Sequence, residues 1–255
     1  MNMYLDDLVA QDYSSPSQKS RIITENWVAK NLYCPICGNQ TLSQYTSNKP
    51  VADFFCTQCE EDFELKAKKK FSHSSQDKIT DGAYATMIER ITSLRNPHLL
   101  YMKYYETQVM DLLMIPKFFF VPDIIEMRNP LSHKARRAGW IGCNINITNV
   151  PDAGRIGIII NKTPKEPRQV ADEYYKASLL KTDNIENRGW LLDVLRCIER
   201  LPVEFALRDV YTFTEFLSVL HPNNNNVKAK IRQQMQILRD KGLISFTSIG
   251  VYRKV

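Results

Sequence analysis

The chain has 255 residues, 44% of them hydrophobic, and 34 lysines and arginines against 28 aspartates and glutamates for a formal net charge of +6. That is enough for one large or two ordinary domains, each with its own core. The longest apolar runs, around Phe118 to Val121 and Ile156 to Ile160, are far short of the roughly 20 residues a membrane helix needs, and Met1-Asn2-Met3-Tyr4-Leu5-Asp6-Asp7 is acidic where a secretory leader is basic and then apolar; a soluble, cytoplasmic protein is expected, and the moderate positive charge admits a polyanion without demanding one.

A helix is predicted over Ser17 to Leu32, with Ser17 as its cap and Ile23, Trp27, Val28 and Leu32 on one face. Two Cys-x2-Cys pairs follow, Cys34-Pro-Ile-Cys37 and Cys56-Thr-Gln-Cys59, with eighteen residues between them. This is the spacing of a structural zinc site built from two knuckles, and Gly38 and Asn39 supply the turn after the first. Four thiolates leave no open position on the ion, so the metal is structural. A disulfide pair or four unrelated buried thiols are the alternatives, disfavoured in a reducing compartment. Cys143 and Cys197 lie in apolar surroundings and are expected as buried free thiols.

Residues Val51 to Ala67 are predicted as a β-hairpin tipped by the second knuckle, its return arm alternating Phe63 in, Glu64 out, Leu65 in, Lys66 out. Asp81 is a candidate cap for a helix to about Leu94, with Ala83, Met87, Ile91 and Leu94 as its apolar stripe. Strands at Leu99 to Tyr105, Val109 to Ile115, Gly139 to Ile147 and Arg155 to Asn161 are expected to join the hairpin in one mixed central sheet, making the first domain α/β.

The polar stretch Lys181 to Arg188 resembles a linker and sets the expected domains at 1–182 and 183–255. Beyond it, helices are predicted around Trp190 to Ile198, over Arg208 to Leu220 and over Val227 to Lys241, with Asn223 to Asn226 as loop and cap before the last. Gly242 to Phe246 and Val251 to Lys254 then form a two-stranded ribbon. Three helices and a ribbon are the winged-helix variant of helix-turn-helix DNA readers.

Phosphodiester hydrolysis needs a divalent cation on carboxylates, an activated water and positive charge for the developing oxygens. Asp53, Glu64 and Lys66 are the residue types for this. Glu64 and Lys66 share a face by strand alternation, the hairpin brings residue 53 near residue 64, and the Leu65 carbonyl is a further oxygen for magnesium. Acid and base on alternating strand positions are equally what a solvated sheet face carries. The lysines Lys68, Lys69 and Lys70 fit either phosphate contacts or a solvated strand end. The histidines, His73, His98, His133 and His221, are scattered and form no recognisable metal or triad motif.

Around the last long helix, about 100° per residue puts Val227, Ile231, Met235 and Leu238 on the core face and leaves Ala229, Arg232, Gln233 and Gln236 outward. Arginine reads guanine, glutamine reads adenine and alanine accommodates a base methyl, though any exposed helix face carries such residues. Lys228, Arg239, Arg253 and Lys254 are candidate phosphate contacts. Arg136, Arg137 and Trp140 stand together, but burial is the default for a tryptophan.

The segments Val51-Ala52-Asp53-Phe54-Phe55-Cys56 through Phe63-Glu64-Leu65-Lys66, Asp81-Gly82-Ala83-Tyr84-Ala85-Thr86-Met87, Ala135-Arg136-Arg137-Ala138-Gly139-Trp140-Ile141-Gly142-Cys143-Asn144 and Ile231 to Lys241 resemble the DpnI family of methyl-directed restriction endonucleases. The resemblance extends over both domains. It implies an α/β PD-(D/E)XK nuclease core carrying an inserted four-cysteine zinc hairpin, followed by an α+β winged-helix domain. It also implies Asp53, Glu64 and Lys66 as the catalytic set, magnesium as cofactor through Asp53, Glu64 and Leu65, and double-stranded DNA with N6-methyladenine in GATC as substrate. Ala52 replaces the proline of the superfamily motif, which is dispensable to the chemistry. The same resemblance brings the loop with Arg136, Arg137 and Trp140 to the recognition sequence, reversing the expectation that Trp140 is buried, and a monomer in solution is expected. The competing readings are a zinc-containing winged-helix regulator without catalysis and a structure-selective nuclease indifferent to methylation.

Overall fold

The computed structural model describes residues 1–46, 52–69, 78–93, 96–182 and 184–255. In chain order the elements are α1 (Pro16–Asn31), β1 (Ser43–Gln44), β2 (Phe54–Phe55), β3 (Asp62–Lys69), β4 (Lys78–Ala83), α2 (Tyr84–Thr92), β5 (His98–Tyr105), β6 (Gln108–Ile115), β7 (Ile125–Met127), β8 (Gly142–Asn146), β9 (Ile156–Ile160), β10 (Thr163–Pro164) and α3 (Pro167–Ser178). There follow α4 (Ile185–Glu199), β11 (Glu204–Ala206), α5 (Leu207–Tyr211), α6 (Thr214–Leu220), α7 (Val227–Asp240), β12 (Ile244–Ser248) and β13 (Val251–Lys254). They fall into two compact units that interleave along the chain: Met1–Gln76, Ser93–Lys117 and Ala153–Ser178 form one, and Asp77–Thr92, Phe118–Asp152 and Leu179–Val255 the other.

The first unit is a seven-stranded sheet in the order β1-β2-β3-β5-β6-β9-β10. Its ladders are antiparallel except for β3 and β5, which run parallel with Glu64 opposite Leu99, Lys66 opposite Tyr101 and Lys68 opposite Lys103. A parallel pair requires a long crossover, and here the crossover is the part of the chain that carries β4 and α2. Strand β5 is central, with Leu99, Leu100, Tyr101 and Met102 all buried on one face or the other. In β3 the expected alternation is blunted, because Phe63 is buried while Glu64, Leu65 and Lys66 are all half-buried. Helix α1 lies against β3 and buries Ile23, Trp27 and Val28. Pro16 occupies its first turn, where a missing N–H costs nothing, so the helix begins ahead of Ser17; its N-cap residue is Ser15, which makes no side-chain cap bond.

The second unit contains a separate three-stranded sheet, β4-β8-β7. Two expectations are corrected by it. Asp81 does not cap a helix: it lies in β4 opposite Cys143, and α2 begins only at Tyr84. The strand expected from Gly139 to Ile147 is β8, shorter and absent from the central sheet, because its two neighbours are β4 and β7. Residue Leu94, expected in the α2 stripe, lies outside the described residues, whereas Met87 and Ile91 are buried as expected.

Helices α4 to α7 and the sheet β11-β13-β12 complete this unit in a winged helix-turn-helix arrangement. The expected helix from Arg208 to Leu220 is broken into α5 and α6 at Thr212 and Phe213. The ribbon gains a third strand, β11, paired to β13. The stretch read as a linker is partly helix, since Asn184 caps α4 by accepting from the Asn187 N–H at 2.8 Å. Arg188 within it is 3% exposed and donates to the carbonyl oxygens of Thr182 and Phe120. Asn226 precedes α7 but makes no side-chain cap bond. Cys143 and Cys197 are buried and stand outside any disulfide among the described residues, where no helix is long and apolar enough to cross a membrane.

Candidate functional site

The two cysteine knuckles are built on one backbone plan. In the first, the Gly38 N–H donates to the Cys34 carbonyl at 2.9 Å and the Cys34 N–H to the Asn39 carbonyl at 2.7 Å. In the second, Glu60 N–H to Cys56 carbonyl and Cys56 N–H to Glu61 carbonyl repeat the pattern, each at 3.0 Å. The left-handed position of each turn is Gly38, at φ 76°, and Glu60, at φ 58°. Glycine adopts this freely, whereas for glutamate it costs about 1 to 2 kcal/mol. The four sulfurs lie within 4.8 Å of one another, with Cys34 to Cys59 at 3.7 Å and Cys37 to Cys56 at 3.6 Å. A tetrahedral tetrathiolate zinc with bonds of about 2.3 Å has sulfur to sulfur edges of about 3.8 Å, so the cluster is compatible with a closed structural zinc site. Burial pushes the Cys34 thiol up and Cys59 to about 12. At Cys56 desolvation, the largest influence, is outweighed by the backbone donors of Cys59 and Gln58, leaving that thiol at about 7.

A partly buried network centred on the enclosed His98 ties the second knuckle to the sheet. Glu61 Oε2 accepts from Lys117 Nζ at 2.5 Å and pairs with His98 Nε2 at 3.2 Å. His98 Nδ1 accepts from the Lys117 backbone N–H at 3.3 Å, so the neutral ring carries its proton on Nε2 and donates it to Glu61. Burial lowers the pKa of His98, which is fully enclosed with Tyr174 set edge-on to its ring. Glu61 is desolvated, but His98 and Lys117 outweigh that and hold it at about 2. None of these partners was signalled in the sequence, because the pairs are 37 and 56 positions apart.

Beyond the knuckle, the Asp53 N–H donates to the Phe63 carbonyl and the Tyr45 N–H to the Asp53 carbonyl, both at 2.9 Å. Phe54 is in register with Phe63, which sets Asp53 beside the Glu64 to Lys66 segment. Asp53 Oδ2 accepts from the Leu65 N–H at 2.8 Å, so Leu65 meets the aspartate through its amide. Glu64 Oε1 and Lys66 Nζ are 2.8 Å apart, with side chains 13% and 25% exposed. Asp53, immediately ahead of β2, and Glu64 and Lys66 of β3 are thus neighbours across the hairpin. Nearby on α1, the Arg21 guanidinium pairs with the buried Glu25 at 2.5 Å, and Gln44 Nε2 donates to the other Glu25 oxygen at 3.0 Å. The Arg21 pKa is raised, chiefly by Glu25 and in smaller part by Asp53. Lys68 is exposed, and Lys103, which the sequence did not single out, stands opposite it on β5.

In the second unit, Lys228, Ala229, Arg232, Gln233 and Gln236 of α7 are all exposed or partly so, while Val227, Ile231, Met235 and Leu238 are buried as expected. Gln234 is buried as well. Arg253 pairs with Glu204 across the ribbon at 2.9 Å, both side chains more than half exposed. Lys254 is committed elsewhere, donating to the Glu199 and Leu201 carbonyls at the C-terminal end of α4, where a cation also meets the negative end of the helix dipole. The loop before β8 closes on itself through Leu131 N–H to Trp140 carbonyl and Gly139 N–H to Leu131 carbonyl. Arg136 and Arg137 are exposed on it and Trp140 is half-buried, with the Arg137 guanidinium 4.6 Å from the indole centroid. That arrangement is a cation–π contact. Neither core burial nor full exposure describes this tryptophan.

Residues 1–183 match the model of the DpnI, or Dam-replacing, family, and residues 186–254 match that of the Dam-replacing HTH domain. The second match falls on the part of the chain in which α7 presents its polar face, and assigns DNA binding to it. The first covers far more than half of the sequence and includes both knuckles and the Asp53, Glu64 and Lys66 grouping. The chain therefore belongs to the DpnI, Dam-replacing family of methyl-directed restriction endonucleases, with that family's DNA-binding helix-turn-helix domain at its C-terminal end.

Proposed function

We propose that this protein is a Mg²⁺-dependent endonuclease that cuts double-stranded DNA at adenine-methylated sites, G-m6A-T-C, with Asp53, Glu64 and Lys66 as a PD-(D/E)XK catalytic set in a nuclease domain over 1–182 and a winged-helix domain over 183–255. The observation that carries the reading is the bond from the Leu65 N–H to Asp53 Oδ2, which fixes one carboxylate against the segment bearing the other carboxylate and the ammonium. Two partly buried carboxylates from the two arms of the hairpin are a fitting oxygen donor set for magnesium, which takes few protein ligands and keeps several waters. When bound there, the metal supplies Lewis-acid stabilisation of the phosphoryl oxygens and an acidified water. Asp53 and Glu64 hold it. Lys66, oriented by Glu64, places a positive charge against the scissile phosphate and steadies the attacking water. The knuckle, anchored through Glu61, keeps the strands in the register that aligns 53 with 64.

Substrate recognition is assigned to two groups. Ala229, Arg232, Gln233 and Gln236 on α7 read base edges, with Lys228 and Arg253 on the backbone, and the loop with Arg136, Arg137 and Trp140 approaches the methylated step, the indole face suiting a base or its methyl group. Lys68 neutralises backbone phosphate near the cut.

Plasmid prepared in adenine-methylating and non-methylating hosts, incubated with enzyme and Mg²⁺, tests the reading. Cutting is expected only for the methylated DNA and is abolished by Lys66→Met with DNA binding retained. Binding without any cutting would make the protein a regulator; cutting that ignores methylation would make it a nuclease of another specificity.

A further inference from the structure

Tyr211, the last residue of α5, meets two cations of α7. Arg232 Nη1 donates to its hydroxyl oxygen at 3.1 Å, and Lys228 Nζ lies 5.7 Å from the centre of its ring. Lys228 and Arg232 are one helical turn apart and therefore on one stripe of α7. Both are exposed, Tyr211 is half-buried, and among the described residues neither cation has a carboxylate at ion-pairing distance.

Gathering two like charges at one exposed spot opposes stability, and fixing two long side chains costs rotamer entropy. The phenol ring offsets part of this by presenting its negative face to the lysine. The hydroxyl accepts from Arg232, which leaves its own proton for an acceptor. In a field of two positive charges the acceptor favoured is an anionic oxygen, and a positively flanked O–H is a stronger donor to it.

We propose that Tyr211 is a DNA-binding residue of the helix-turn-helix. Its ring and hydroxyl hold Lys228 and Arg232 in their DNA-facing orientation, and its O–H donates to a backbone phosphate oxygen of duplex DNA. The inference rests on the proposal above that α7 is the reading helix.

Fluorescence anisotropy with the full chain, without Mg²⁺, on a labelled methylated GATC duplex tests both levels, using Tyr211→Phe, Lys228→Ala, Arg232→Ala and the Tyr211→Phe/Arg232→Ala double variant. Tyr211→Phe keeps the ring and is expected to weaken binding about tenfold, the loss of one phosphate hydrogen bond and of a positioned arginine. The double variant is expected to lose less than the product of the two single losses, because part of the effect of Tyr211→Phe is exerted through Arg232; losses that multiply in full would overturn the positioning role. Wild-type affinity for Tyr211→Phe while Arg232→Ala and Lys228→Ala weaken binding would overturn the role of Tyr211 and leave α7 as the reader. Wild-type affinity for both alanine variants would overturn the reading of α7 and the inference with it. Unchanged thermal melting of each variant excludes misfolding as the cause of any loss.

Discussion

Replacing Asp53 by alanine and by asparagine separates two roles of one carboxylate. Its Oδ2 accepts the Leu65 N–H at 2.8 Å in a partly buried setting, and a hydrogen bond to a charged acceptor contributes about 1.5 to 3 kcal/mol. Asp53→Ala leaves that N–H without its acceptor, so about 2 kcal/mol of stability is expected to be lost from the first unit. For a unit of this size that is a fall in melting temperature on the order of 8 °C. Asp53→Asn retains an oxygen in the same place and is expected to cost about 1 kcal/mol or less. Cleavage depends on the charge, so both variants are expected to lose at least a factor on the order of 10² to 10³ in single-turnover cutting of methylated duplex at saturating enzyme. Thermal melts with zinc present, run beside the cleavage assay, read the two effects independently. Cutting by Asp53→Asn within about tenfold of wild type would refute the metal-holding role, and an Asp53→Ala variant that melts with wild type would refute the structural one.

Glu61→Gln removes a carboxylate that His98 and Lys117 bring down from 4.5 to about 2. That depression is worth about 3 kcal/mol at neutral pH, so urea unfolding is expected to show a loss approaching that value, with faster surrender of zinc to a chelator; zinc exchange at the wild-type rate would count against the tie. Cys197 is pushed by burial from 9.0 to about 12. Its folded pKa is raised, so its contribution is complete below about pH 9 and is lost as pH rises towards 12, a fall of at most about 4 kcal/mol that Cys197→Ala should remove from an alkaline stability profile; an unaltered profile would be evidence against it. A methyl group at Gly142 would meet the ring carbons of Trp140 at 2.8 Å. Gly142→Ala is thus expected to displace the indole from Arg137, increase its quenching by acrylamide and weaken discrimination for methylated DNA, and an unchanged emission spectrum and discrimination would contradict the packing.

Some of this molecule was legible in its sequence because the information is local. The cysteine spacing of each knuckle is closed by hydrogen bonds four and five residues long, strand alternation sets Glu64 and Lys66 on one face, and the 3.6-residue period of α7 separates Ile231, Met235 and Leu238 from Arg232, Gln233 and Gln236. Periodicity does not say which strand lies next to which. The strand around Cys143 was recognised, yet its place beside β4 rather than in the central sheet depends on pairing with a segment about sixty residues earlier, and Asp81, a good cap by residue type, is drawn into that ladder. The β-alternation of Glu64 to Lys66 was likewise readable, whereas the parallel neighbour that sets Lys103 beside Lys68 was not. Glu61, His98 and Lys117 have no shared pattern; only enclosure of the imidazole, which makes each hydrogen bond obligatory, turns them into a unit. What the order of residues determined by itself was the chemistry available at each short segment, and what tertiary structure alone decided was which segments share a face, because long-range contacts are selected by burial and backbone pairing across the whole chain rather than by neighbours along it.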